Sequence, residues 1–191
     1  MSVRDERRTL LLEAARDLVI RHGYRKTSLE DVAQAAGMSR ATIYNYFANK
    51  EEVFRSLIAL EIERLTVGMA EAIDPADPPE LRLLAAVRAR YARFRQIKDL
   101  YSVARNVSRD VLPIATAEFE AFQALELAFI EGLLREGVAS GRFVEVDPEV
   151  LAPALLSALR GLDEAFVFDD REALAQGAEC LLQTLFSGLL A

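Results

Sequence analysis

Residues 27–50 read TSLEDVAQAAGMSRATIYNYFANK, and this stretch decides the fold. Thr27-Ser28-Leu29-Glu30 has the form of a capping box: a threonine hydroxyl accepts a free backbone N–H and a glutamate reaches back. Val32, Ala33 and Ala36 then face inward, and Gly37 ends the helix with the left-handed conformation glycine tolerates. Ser39 is a good N-cap for another short helix running through Arg40, Ala41, Thr42, Ile43, Tyr44, Asn45 and Tyr46. Asn49 opens a further helix, with Glu52 in the capping-box position. Two short helices joined by Gly37-Met38-Ser39 make a helix-turn-helix, in which Ala33 and Ala36 are small enough for a close crossing.

Working outward, the chain reads as all-α, with about nine helices set by apolar spacing and by breakers. A helix over Arg4 to His22 places Leu11, Leu12, Ala15, Leu18 and Val19 on one face, and Gly23 stops it. The helix from Asn49 continues to about Ile73 and carries Val53, Phe54, Leu57, Ile58, Ile62, Leu65 and Met69. Asp74-Pro75-Ala76-Asp77-Pro78-Pro79 is the strongest break. Separate helices are expected over about 79–97 and 99–109, and another from Pro113 to about Ser140, stopped by Gly141. Asp147-Pro148 starts a helix to about residue 167, and Asp169 and Asp170 open the last one. The single cysteine, Cys180, excludes an intrachain disulfide and reads as a buried thiol in an apolar helix.

Charge divides the chain the same way. Residues 1–50 hold nine Lys/Arg against six Asp/Glu, whereas residues 51–191 hold fourteen against twenty-four. A basic head on an acidic body suits a molecule of which only the head approaches phosphate. We therefore expect a helix-turn-helix DNA-binding domain over 1–50 and an effector-binding and dimerisation domain over 51–191.

The short helix after Ser39 carries the right chemistry for the major groove. Arg40 can give two hydrogen bonds to guanine, and Asn45 can pair with adenine or reach a phosphate. Ala41 and Thr42 permit close approach, and the hydroxyls of Tyr44 and Tyr46 can reach phosphates. Lys50, Thr27 and Ser28 stand at helix starts, where an anion is favoured. Phe47 fits ordinary core, and Tyr46 fits either role.

These residues carry a resemblance. TSLEDVAQAAGMSRATIYNYFANKEEVF, within a match over about residues 8–55, resembles the signature of the tetracycline-repressor (TetR) family. The resemblance implies an all-helical homodimer with an N-terminal DNA-binding domain. It also implies DNA contacts from Thr27, Arg40, Ala41, Thr42, Tyr44, Asn45, Tyr46 and Lys50. Ala41 stands where many relatives have glycine, a departure that touches sequence preference.

The last two helices look adhesive. Leu151, Leu155, Leu156, Leu159, Leu162 and Phe166 form one broad face. Leu174, Ala178, Leu181, Leu182, Leu185, Phe186 and Leu189 form another, and pairing with a second copy gives a four-helix interface. Candidates for a small-molecule effector pocket are Leu65, Met69, Val87, Tyr91, Phe94, Lys98, Tyr101, Phe122 and Phe166. Arg82, Arg88, Arg90, Arg93, Arg95, Lys98, Arg105 and Arg109 face a single acid, Asp99, in the same stretch. Arg88, Arg95 or Lys98 could meet an anionic effector, or all eight could pair with the acidic body.

His22 is the only histidine and sits where a helix end takes a cap. Neither a nucleophile motif nor a phosphate loop is present, so we expect no enzyme, no cofactor and no metal. The expected partners are palindromic double-stranded DNA, a second copy and a small-molecule effector, with no membrane. The N-terminus lacks a signal-like apolar run, so the expected place is the cytoplasm. The competing reading is a helical binding or scaffold protein that keeps the fold without binding DNA.

Overall fold

Ser2 opens the first helix with a capping box: its hydroxyl accepts from the Asp5 N–H at 3.2 Å, and the Asp5 carboxylate accepts from the Ser2 N–H at 3.0 Å. The computed structural model describes residues 2–106, 115–168 and 172–190, with side chains outside 94–106, 163–168 and 172–175. Among the described residues there are eight helices and no strand beyond an isolated bridge between Phe143 and Leu190. They are α1 (Val3–His22), α2 (Leu29–Ala35), α3 (Arg40–Tyr44), α4 (Lys50–Glu71), α5 (Pro79–Asn106), α6 (Thr116–Ala139), α7 (Pro148–Phe168) and α8 (Glu172–Leu189). None is long and apolar enough to cross a membrane.

The chain forms two units, one of residues 1–63 and 97–119, the other of 64–96 and 120–191. In the first, Leu11, Leu12, Ala15 and Val19 of α1 meet Leu29, Val32 and Ala33 of α2, Ile43 of α3 and Val53, Phe54, Leu57 and Ile58 of α4. Phe47 is buried in this core, and Tyr24 lies edge-on to Phe54 with ring centroids 4.9 Å apart. Gly23 and Gly37 have φ of +83° and +67°, the left-handed turns expected of them.

In the second unit, Leu83, Leu84, Val87 and Tyr91 of α5 pack with Ile130, Leu133 and Leu134 of α6, Leu155, Leu156 and Leu159 of α7, and Ala178, Leu182 and Phe186 of α8. Gly141, with φ of +70°, turns the chain after α6, and the Arg142 and Phe143 N–H groups donate to the Gly137 carbonyl. Phe143 then stacks on Phe186 at 5.8 Å.

Three expectations need correction. The helices expected over 79–97 and 99–109 are one helix, α5, because neither proline nor glycine interrupts residues 80–106. The cap of α2 is Ser28, not Thr27: Ser28 Oγ accepts from the Asp31 N–H at 3.1 Å, and the box closes through Asp31 in place of Glu30. Cys180 is exposed, not buried. It stands about 200° around α8 from Ala178, which lies in the core. Pro113, Asp169 and Asp170, expected at helix starts, lie outside the described residues.

Candidate nucleic-acid interface

The turn between α2 and α3 sets what α3 exposes. Ile43 is buried against the head, and Phe47, one turn later, is buried beside it. Opposite them lie Arg40, Ala41, Tyr44 and Asn45, all exposed. Ser39 caps α3 by accepting from the Thr42 N–H at 3.1 Å, and its hydroxyl lies 2.8 Å from that of Thr42. Three of the five helical residues, Arg40, Ala41 and Tyr44, and the C-cap Asn45 are therefore offered to solvent.

Arg40 is the most prominent of them, with 72% of its side chain exposed. Its Nε is ion-paired with Glu30 Oε1 at 2.9 Å, and its guanidinium lies 5.8 Å from the centre of the Tyr44 ring. The Tyr44 hydroxyl donates to the same Glu30 oxygen at 3.3 Å. Glu30, on the first turn of α2, thus ties two α3 side chains together at the surface. Reasoning from sequence missed it, because no periodicity links a residue of one helix to a residue of the next.

The flanking groups are placed differently from one another. Ser28 and Lys50 are half-buried at the starts of α2 and α4. Lys50 Nζ donates to the carbonyl oxygens of Tyr24 at 2.9 Å and Arg25 at 3.3 Å, and burial pushes its ammonium below the ordinary 10.5. Thr27 is only 5% exposed, and its hydroxyl donates to the Gly23 carbonyl at 3.0 Å. The structure thus separates it from the exposed set. Tyr46 is half-buried against the core, with its ring 6.5 Å from that of Phe47. At the next helix, Asn49 Oδ1 accepts from the Glu52 N–H at 2.8 Å, the expected cap. The Asp31 carboxyl is held below its ordinary value first by the Ser28 hydroxyl.

In the second unit, Val87, Tyr91 and Phe122 are buried, Leu65 is 3% exposed and Met69 is half-buried. Tyr91 is pinned by its hydroxyl, which donates to the Leu159 carbonyl at 3.3 Å. Phe94, Lys98, Tyr101, Phe166 and Leu174 lie outside the described side chains, as do Arg95, Arg105 and Arg109. Of the basic residues in this stretch, Arg88 makes two hydrogen bonds to Glu179, at 2.9 and 3.0 Å. Arg90 pairs with Glu126 at 2.7 Å, both buried, and Arg82 pairs with Glu136. For these three the partners are acids of the same unit. Of the expected dimer residues, Leu155, Leu159, Ala178 and Leu182 are buried in the chain's own core. Leu151, Leu162 and Leu185 sit half-buried at its margin, and Leu181 is 40% exposed.

A head of three packed helices, whose third turns an arginine, an asparagine and a tyrosine outward, defines a helix-turn-helix DNA-binding regulator. Residues 11–57 match the family described as bacterial regulatory proteins, tetR family. The HTH-type transcriptional regulator YhgD of Bacillus subtilis is 28% identical over 168 residues, 86% of this chain and 84% of the relative. The TetR-family regulator PfmR of Thermus thermophilus superposes with a TM-score of 0.68 at 26% identity, over 95% of this chain and 99% of that one. The fatty acid degradation regulator FadR of Bacillus halodurans shares the fold, with a TM-score of 0.74 at 24% identity over 92% and 93% of the two chains. The chain thus carries a TetR-family DNA-binding region at its N-terminus and is similar over most of its length to transcriptional regulators.

Proposed function

We propose that the chain is a dimeric repressor that reads a palindromic operator through α3 and leaves it when a small molecule binds. The observation that carries this is the outward face of α3, where Arg40, Ala41, Tyr44 and Asn45 stand together opposite Ile43. Arg40 and Asn45 read base edges, Ala41 and Thr42 allow approach, and Tyr44, Ser39, Ser28 and Lys50 hold phosphates. Tyr46 and Thr27 brace these groups from beneath. Residues 1–50 are the reading domain and 51–191 the effector and dimer domain, in a protein that performs no catalysis and works in the cytoplasm.

Dimerisation is supported by the outer side of α8. Cys180, Leu181, Gln183, Thr184, Ser187, Gly188 and Leu190 are all exposed, and residues 180–191 include no charge. A solvated helix face normally carries charged residues, so this one suits a second copy. Leu151, Leu162, Leu181 and Leu185 are the margin such a partner would cover. Two heads about 34 Å apart then read two half-sites.

The effector acts on the second unit, with Leu65, Met69, Val87, Tyr91 and Phe122 as candidate contacts. Its coupling to DNA is a difference in affinity between two states and is reciprocal. Acyl compounds are the first probes, because the B. halodurans relative is named for fatty acid degradation. A gel shift with the DNA upstream of the chain's own coding sequence tests the reading. We expect a retarded band that one class of small molecule abolishes. Failure to retard that DNA or any duplex from a random library, even at low salt, defeats it.

A further inference from the structure

We propose that Glu30 is a positioning residue for base recognition, holding the Arg40 guanidinium so that its two terminal amino groups face a guanine. The inference rests on the reading of Arg40 as a base reader and adds what makes that reading selective.

Glu30 lies on the first turn of α2 and Arg40 is the first residue of α3. Glu30 Oε1 is ion-paired with Arg40 Nε at 2.9 Å and accepts from the Tyr44 hydroxyl at 3.3 Å. The Tyr44 ring adds a second restraint on the guanidinium, at 5.8 Å. With 72% of Arg40 and 43% of Glu30 exposed, the pair contributes little to folding. Its geometry has a different consequence. Arginine presents donors along two edges, one shared between Nε and a terminal nitrogen, the other formed by the two terminal nitrogens. The Glu30 carboxylate lies against the Nε side of the guanidinium, so the terminal edge remains for the paired acceptors O6 and N7 of guanine. An arginine already held in one orientation loses less rotamer freedom on binding, worth about 2- to 10-fold in affinity.

The carboxylate acts on the wrong DNA as well. A negative charge beside the reading helix repels phosphate wherever Arg40 finds no base to compensate it. Glu30 therefore lowers affinity for unrelated duplexes while leaving the cognate contact intact. A merely structural ion pair does neither.

The test starts from a consensus duplex selected from a random library by the full-length protein. Wild type, Glu30→Ala, Arg40→Ala and the double variant are titrated against the consensus and against duplexes with each base pair changed in turn. Urea denaturation of each variant reports folding separately. We expect Glu30→Ala to lower the preference for guanine about 5- to 10-fold at the base pair where Arg40→Ala acts. The double variant should match Arg40→Ala alone, and Glu30→Ala should bind a scrambled duplex more tightly. An unchanged preference, an effect at another base pair, or additive losses overturn the positioning role while leaving the reading function standing. Selection of no consensus by wild type overturns both.

Discussion

The ammonium of Lys50 lies 2.9 Å from the carbonyl oxygen of Tyr24 and 4.3 Å from the centre of that residue's ring. Sequence alone made Lys50 a phosphate anchor at a helix start. The geometry gives it a second duty, because the carbonyls of Tyr24 and Arg25, in the turn after α1, accept hydrogen bonds from it, the Tyr24 carbonyl alongside the Thr27 N–H. Lys50→Ala should therefore cost stability as well as DNA affinity. Loss of these bonds is worth about 1–2 kcal/mol, read as a lower urea midpoint. Binding to consensus and scrambled DNA should weaken by a similar factor. An unchanged midpoint would show that the carbonyls do not need the lysine.

The α2 cap gives the second prediction. Ser28 closes the box with Asp31, so Ser28→Ala should destabilise the protein by about 1 kcal/mol. Ser28→Asn, which keeps a side-chain acceptor, should restore most of it. Equal stability of wild type and Ser28→Ala in thermal unfolding would place the cap elsewhere.

Gly137 is required by close contact. A Cβ there would come within 2.0 Å of the Phe143 ring, which is itself buried and stacked on Phe186. The gain in helix propensity from Gly137→Ala, about 1 kcal/mol, is set against overpacking of about 1–3 kcal/mol. We expect net destabilisation, checked by the melting temperature, with relief when Phe143→Leu is added. A stabilised Gly137→Ala would mean that Phe143 moves aside freely.

Glu80 makes stability depend on pH. Hydrogen bonds from Arg142 hold its carboxyl below the ordinary 4.5, against the opposing effect of burial. A folded value below the unfolded one stabilises the protein above pH 4.5, and that contribution is lost as pH falls through the folded value. The gap in melting temperature between wild type and Glu80→Gln should be widest near neutral pH and close in acid. Carboxylates such as Glu136 and Glu179 are lowered in both proteins and cancel from the difference. A gap that stays constant down to acid would exclude the ion pair as its source.

Local signals made the head legible. Gly23, Gly37, Ser39 and Asn49 act through their own backbone or the next turn, so their roles can be read without tertiary structure. Phe47 was recognisable as core because it falls one turn from Ile43. The cap at Ser28 was misplaced by one residue because Thr27-Glu30 and Ser28-Asp31 fit the same pattern. What separates them is the tertiary burial of Thr27. Glu30 and its hold on Arg40 were invisible for a similar reason, since that contact arises only when α2 and α3 cross. In the second unit, apolar spacing identified helices but not their outward sides, so Cys180 was assigned inward and buried leucines were counted with exposed ones. The partners of Arg82, Arg88 and Arg90 are acids on other helices, which no local pattern could indicate.

Guanine N7 lies in the major groove, and methylating it adds bulk where Arg40 would donate. Partial methylation of the selected duplex by dimethyl sulfate, followed by separation of bound from free DNA, therefore tests most directly whether α3 reads that groove. Bound DNA should be depleted of N7-methylated guanine at matching positions in both half-sites, and Arg40→Ala should abolish that depletion. Binding indifferent to N7 methylation, in wild type and variant alike, would contradict the account.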